Sequence, residues 1–312
     1  MEAQPDDGGS VTRYQKAITP SMSDAYLRLG YDRVAGFAVP VADVTWATTP
    51  ADLHAVHALG FEASPFSVDD AYVDVLRFTP GPQVRTADAV GGTDATAREA
   101  RGGTFIDRPP FTGTGFAPVE GHRVPVTWIV HSRVPAGSEL VRVHADGTEQ
   151  VLARYVDVAR CWEPVDAAVH HTTFPGVSRF VGALAEWKAT HLNAEVYGDH
   201  VVLVSEHEPH AAFEFTQAAS GRWFCEVPRA DVDKLYELFI TGRWRGVEVR
   251  LVDLGVDEGG DKRATISSVG HDADAAEAAG MVKVDAGVYE MVVDPDELTD
   301  LTPYELAPAA WG

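Results

Sequence analysis

Residues 187–206 read WKATHLNAEVYGDHVVLVSE, and residues 240–255 read ITGRWRGVEVRLVDLG. Each runs as a β-branched strand, a turn and a second strand. The segments after them also agree: GRWFCEVPRADVDKLYEL (221–238) after the first, GVYEMVVDPDELTDLTPYEL (287–306) after the second. Laid together, Asn193 meets Gly246, Glu195-Val196 meets Glu248-Val249, Phe224 meets Tyr289, Val227 meets Val292 and Asp231 meets Asp296. Self-similarity at this spacing is the mark of a repeated supersecondary unit. PRADVDKLYEL and DPDELTDL each place Pro and Asp ahead of an apolar run, which predicts a short helix closing each copy. The second copy carries an inserted helical piece, DADAAEAAG. The expected fold is therefore α+β: a mixed, mostly antiparallel N-terminal domain, then two related small β-rich modules at 187–238 and 239–312, each closed by a short helix.

The N-terminal domain is expected over 21–165. ADLHAVHALGF (51–61) sets Leu53, Val56 and Leu59 on one helical face, with Thr49-Pro50 as the start and Gly60 as the stop. AYVDVLRF (71–78) reads as a strand ended by Pro80-Gly81-Pro82. VPVTWIV (124–130) and ELVRVHADGTEQVLARYVDV (139–158) supply more strands, the latter folded at ADGT into a hairpin. Residues 84–105, rich in Gly, Ala and Thr, read as a long surface loop. Residues 166–186 form a linker or helix.

Composition limits function. The 312 residues are 45% hydrophobic and 23% charged, with a net charge of −22. That balance suits a soluble globular chain and excludes a general nucleic-acid binder, since phosphate contacts need a cationic face. No apolar run is long enough to cross a bilayer, so no membrane partner is expected. MEAQPDDGGSVTR is acidic where a secretory signal would be basic and then apolar. A disordered arm over 1–20 and a cytoplasmic protein are the expectations. Cys161 and Cys225 fit no metal or redox spacing and read as buried free thiols. The histidine pairs His54/His57, His170-His171 and His207/His210 lack the further converging ligands of a zinc site, so no metal is expected. Neither a P-loop, a dinucleotide fingerprint nor a nucleophile elbow occurs. GTGFA contains G-x-G, but Phe116 and Pro118 forbid the helix start a phosphate cradle requires.

Three segments taken in order do suggest chemistry. VDVLRF ends a strand at Arg77, RPPFTGTGFAP (108–118) presents Thr112 and Thr114 between aromatics, and VPAGSELVRVHADGTEQVLARY carries Glu149 before an apolar strand. This order resembles the Arg, Ser-Thr-Ser, Glu order of the ADP-ribosyltransferase family over about residues 70–156. The middle motif here is Thr-Gly-Thr, and Gly147 stands where arginine-specific transferases carry Glu or Gln. The resemblance implies NAD as substrate, ADP-ribosyl transfer or NAD glycohydrolysis, and roles residue by residue. Arg77 would hold NAD phosphate or ribose, with Arg33 in GYDRVAGF as its competitor for that role. Thr112 and Thr114 would rim the nicotinamide pocket, and Phe111 or Phe116 would stack on the ring. Glu149 would steady the cationic sugar, acting where charge develops in the transition state.

The alternative is a non-enzymatic acidic binding protein, such as a cytoplasmic immunity or inhibitor protein for a basic toxin domain. Charge complementarity would speed its association with a basic protein partner. Trp223, Trp244 and Tyr289 are then candidates for an aromatic binding face, with core positions as the other reading of all three.

Overall fold

The computed structural model describes residues 12–166 and 176–311. Its N-terminal half holds β1 (Tyr14–Ile18), α1 (Pro20–Leu29), β2 (Arg33–Pro40), α2 (Pro50–Val56), β3 (Tyr72–Phe78), β4 (Thr86–Asp88), β5 (Gly91–Gly92), α3 (Ala95–Arg101), β6 (Phe105–Ile106), β7 (Thr127–Arg133), β8 (Glu139–His144), β9 (Glu149–Tyr155) and β10 (Trp162–Pro164). Eight of these strands form one sheet in the order β10-β9-β8-β3-β1-β2-β7-β4. Alternation along β3 sends Val73 and Val75 to one face and Leu76 and Phe78 to the other. The first face packs on Leu53, Val56 and Leu59, and the second on Tyr26 of α1 and Trp162. α2 begins at a capping box between Thr49 and Asp52, as its sequence signals, and stops at Val56.

Two N-terminal expectations are corrected. Part of the supposed disordered arm is β1, paired to β2 on one side and β3 on the other. Its Gln15 and Lys16 are buried, satisfied by Arg77 and by Asp285 respectively, so polarity there does not mean solvent. The supposed loop of 84–105 is built of β4, β5, α3 and the start of β6; Asp94 caps α3 through the Ala97 N–H.

The C-terminal half is β11 (Ala183–Trp187), β12 (Thr190–Tyr197), β13 (His200–Ser205), β14 (Thr216–Gln217), β15 (Trp223–Pro228), β16 (Lys234–Trp244), β17 (Val247–Val256), β18 (Lys262–Ser268), α4 (Ala273–Ala279), β19 (Val282–Asp285), β20 (Val288–Val293) and β21 (Thr299–Leu306). They join in one antiparallel, 11-stranded sheet. Two stretches of it share the same path. β11, β12, β13 and β15 pair in succession while β16 pairs β11. β16, β17, β18 and β20 pair in succession while β21 pairs β16. These are the first and second units; β16 belongs to both, so no boundary falls at 238/239.

The helices expected to close each module are 3-10 turns, Arg229–Asp231 and Pro295–Glu297, each leading straight into a strand. Pro and Asp start a turn as readily as a helix, and the β-pairing offered by β11 and β16 decides between them. The register also differs from the sequence alignment. The two-residue turn Lys188-Ala189 after Trp187 matches Arg245-Gly246 after Trp244, all four residues at positive φ. That is the conformation a tight two-residue hairpin demands. Asn193 lies inside β12, not in a turn.

The halves meet along a buried polar seam. Arg133 donates to the Val181 and Ala194 carbonyls and to Asn193, and Arg250 to the His131 and Phe180 carbonyls and to Glu237. Arg222 donates to Asp32 and to the carbonyls of Val158 and Gly176. All three side chains are 3% exposed or less. No helix among the described residues is long and apolar enough to cross a membrane. Among the described residues, removing Arg222 leaves the buried Asp32 carboxylate with a single charged contact, 3.9 Å from Arg133. Arg222→Met should therefore lower unfolding free energy by about 3–5 kcal/mol, read as a urea midpoint shift at unchanged slope.

Candidate functional site

The structure places the residues singled out for NAD chemistry in three different situations. Arg77 and Glu149 meet directly: the guanidinium makes two bonds to the carboxylate, 2.6 and 2.5 Å long. That bidentate pair holds the Glu149 carboxyl below its usual range. The Arg77 Nε donates to Gln15 Oε1 at 2.9 Å, which turns the amide so that its Nε2 donates to His57 Nε2 at 3.3 Å. His57 must then carry its proton on Nδ1, a buried atom without a partner among the described residues. The imidazole lines an apolar cavity of about 20 Å³ with Phe111, Thr112 and Phe116. That is room for about one water molecule, not for a nicotinamide ring.

The aromatic and hydroxyl groups around this cavity are already engaged. Phe111 stacks on Phe37 at 5.3 Å, and Arg123 lies 4.3 Å over Phe116. Thr112 and Thr114 hydroxyls bond each other at 2.8 Å and reach the Phe116 carbonyl. Thr-Gly-Thr-Gly is a backbone-packed connection. A Cβ at Gly113 would lie 2.3 Å from the Gly91 carbonyl oxygen, so only glycine admits this approach. Arg33 joins none of these groups; it sits at the seam, bonded to the Val252 carbonyl and to Asp253.

Among the described residues no group of three or more His, Cys, Asp or Glu could hold a metal ion. His210 caps a 3-10 turn by accepting from the Ala212 N–H, and His170-His171 lie outside the described residues. Cys161 and Cys225 are free; Cys161 is buried and Cys225 only partly so. Burial pushes both thiols up to about 11, away from nucleophilic use.

A larger concavity lies in the first unit. A cleft of about 660 Å³ is lined by Trp187, Phe213 and Phe224 and by Glu214, Glu226, Asp231 and Asp233. All four carboxylates are exposed. Glu226 pairs with Arg160, whereas Glu214, Asp231 and Asp233 form no ion pair among the described residues. The ammonium of Lys188 stands 4.0 Å over the Trp187 ring and 5.6 Å from that of Phe213. Of the aromatics proposed from sequence for a binding face, Trp244 and Tyr289 are core and Trp223 is partly buried. Trp187, Phe213 and Phe224 were missed. The one signal for them was a Trp followed by a basic residue at both tight turns, in WKAT and in RWRG.

A family model described as Uncharacterised conserved protein UCP033725 matches residues 185–304, from β11 into β21, and so spans the cleft. The chain matches no curated protein and no solved structure.

Burial pulls the His57 imidazole down to about 3, with Lys16 adding to the effect, and burial pulls His271 down to about 4. Folded values below the unfolded 6.5 mean that their stabilising share is complete above pH 6.5 and is lost as pH falls through those values. His57→Leu should flatten the decline of Tm between pH 6.5 and 3, whatever it does to Tm at neutral pH. An unchanged slope would mean that this histidine titrates as if exposed.

Proposed function

We propose that this chain is a non-enzymatic acidic binding protein that takes a basic protein partner at the Trp187 cleft. The observation that carries the reading is the trio Glu214, Asp231 and Asp233, three exposed carboxylates without ion pairs among the described residues, beside an aromatic floor. Many of the chain's few cations are committed elsewhere: Lys16, Arg85, Arg98, Arg108 and Lys283 all reach carboxylates, most of them across the seam. Those pairs cancel one another, and the chain as a whole carries a net charge of −22, which favours fast encounter with a cationic partner. A cytoplasmic immunity or inhibitor protein facing a basic toxin domain is the biological setting this chemistry fits. We also read the two units as related copies, on the strength of their common strand path and matching Trp-basic turns.

In a pull-down from native lysate at low salt, the wild type should retain a stoichiometric basic protein. The Asp231→Asn/Asp233→Asn variant should release it. Retention of no such protein by the wild type would sink the reading.

A second reading, NAD glycohydrolysis or ADP-ribosyl transfer, is favoured by one fact: Glu149, Arg77, Gln15 and His57 form a continuous chain reaching Phe111 and Thr112. It requires the bidentate pair to open, because both Glu149 oxygens are occupied. The binding reading expects no nicotinamide release from NAD, by wild type or by Glu149→Ala. Release that vanishes in Glu149→Ala would replace it with the enzyme.

A further inference from the structure

In the second unit the place that matches this cleft is packed by a helix, and that difference identifies what the first one is shaped to receive. There, α4 packs Ala273, Ala276 and Ala279 into one core with Trp244. The carbonyl of Ala279, in the last turn of that helix, accepts from Arg245, the basic residue of the tight turn. In the first unit the corresponding core around Trp187 is met by Phe213, Phe215 and Trp311, and the connection between β13 and β15 holds a three-residue 3-10 turn, Ala211–Phe213, and the short strand β14, but no α-helix. Lys188 occupies the place of Arg245: both come directly after a Trp, both sit at positive φ, and both lie over that indole ring.

The closing contact differs as well. Trp244 donates its indole N–H to Glu297, the third residue of its 3-10 turn, at 3.0 Å. Asp231 is the third residue of the matching turn and is one methylene shorter. Trp187 donates to no described residue, and Asp231 lines the cleft beside it. The first unit therefore keeps a cleft beside a Trp187 that is only 5% exposed, where the second packs its own helix.

Charge then sets the polarity of the occupant. The acidic α4 is met by arginines, Arg98 on Asp272 and Arg108 on Asp274 and Glu277. Around the first cleft stand carboxylates. We propose that the Trp187 cleft binds a short basic helix of a partner protein, small residues inward, its C-terminal carbonyls toward Lys188. Basic side chains in the last turn of such a helix would reach Asp231 and Asp233 and would also complement the helix dipole. This inference rests on the binding reading above and on the relation between the units.

The test titrates the full chain at low salt with an alanine/lysine peptide of about 15 residues, long enough to be helical alone. The comparisons are the same composition interrupted by a central proline and an alanine/glutamate helix. The alanine/lysine helix should bind about tenfold more tightly than the proline version, and the acidic helix should not bind. Asp231→Asn/Asp233→Asn, two exposed positions, should weaken the basic helix about tenfold. Equal affinity for the helical and proline peptides overturns the helix while leaving a basic-segment binder. Failure of both peptides, with a basic protein still retained in the pull-down, also overturns the helix alone; failure of peptides and pull-down together removes the binding reading too.

Discussion

Three guanidinium groups hold this molecule together. Arg133, Arg222 and Arg250 leave water almost completely, which is tolerable only because backbone carbonyls of both halves and a few carboxylates surround them. A guanidinium presents its donors in a fixed fork, so each arginine fixes the relative position of every strand whose carbonyl it touches. Arg250 illustrates this: it leaves β17 to meet His131 in the other sheet and Phe180 just before β11. Burial pulls it down to about 10, still charged at neutral pH. The two sheets share no ladder, so their mutual placement depends on this seam and on the apolar patches beside it, such as Phe37 and Trp128 against Val288.

The same seam shapes the surface. The chain buries carboxylates beside its arginines, Asp32 with Arg222 and Glu237 with Arg250, so its net negative charge still lies on the surface. It also carries one buried acid, Glu195, that responds to pH in the opposite sense to His57 and His271. Burial raises Glu195 to about 7, though Arg133 and the Val158 N–H oppose that. A folded value above the unfolded 4.5 makes its share of stability complete below pH 4.5 and lost as pH rises through about 7. His57 and His271 weaken the fold on the acid side, so the seam and the helix-side core favour different ends of the range.

Much of the fold was legible from periodicity. β3, the β8–β9 hairpin and α2 emerge from alternation, a turn and a cap, each decided within a few residues. The failures were tertiary. β1 has no apolar alternation, and its polar residues are buried because Arg77, His57 and Asp285 reach them from elements distant in sequence. The two expected closing helices became turn and strand because a free strand edge overrode local propensity. At the site, the sequence order that singled out Arg77 and Glu149 did find two residues that touch. Order along the chain does not disclose whether such a pair frames a ligand or closes on itself, and here both carboxylate oxygens are engaged.

The cleft was illegible for a different reason: it is made by a difference between two similar units. Beyond the Trp-basic pair at its tight turn, no residue lining it forms a motif. It exists because one connection carries a seven-residue helix where the other carries a three-residue turn, and because a carboxylate that bonds Trp244 has a counterpart one methylene shorter near Trp187. Such a difference is small in sequence and large in shape. A core that is filled in one unit must be covered by something else in the other, or leave its edge in water. Phe213 and Trp311 cover part of the Trp187 core, and acidic side chains rim the rest. A surface meant only for solvent has no need of an indole beneath its carboxylates, and that combination of apolar floor and charged rim is what protein interfaces use.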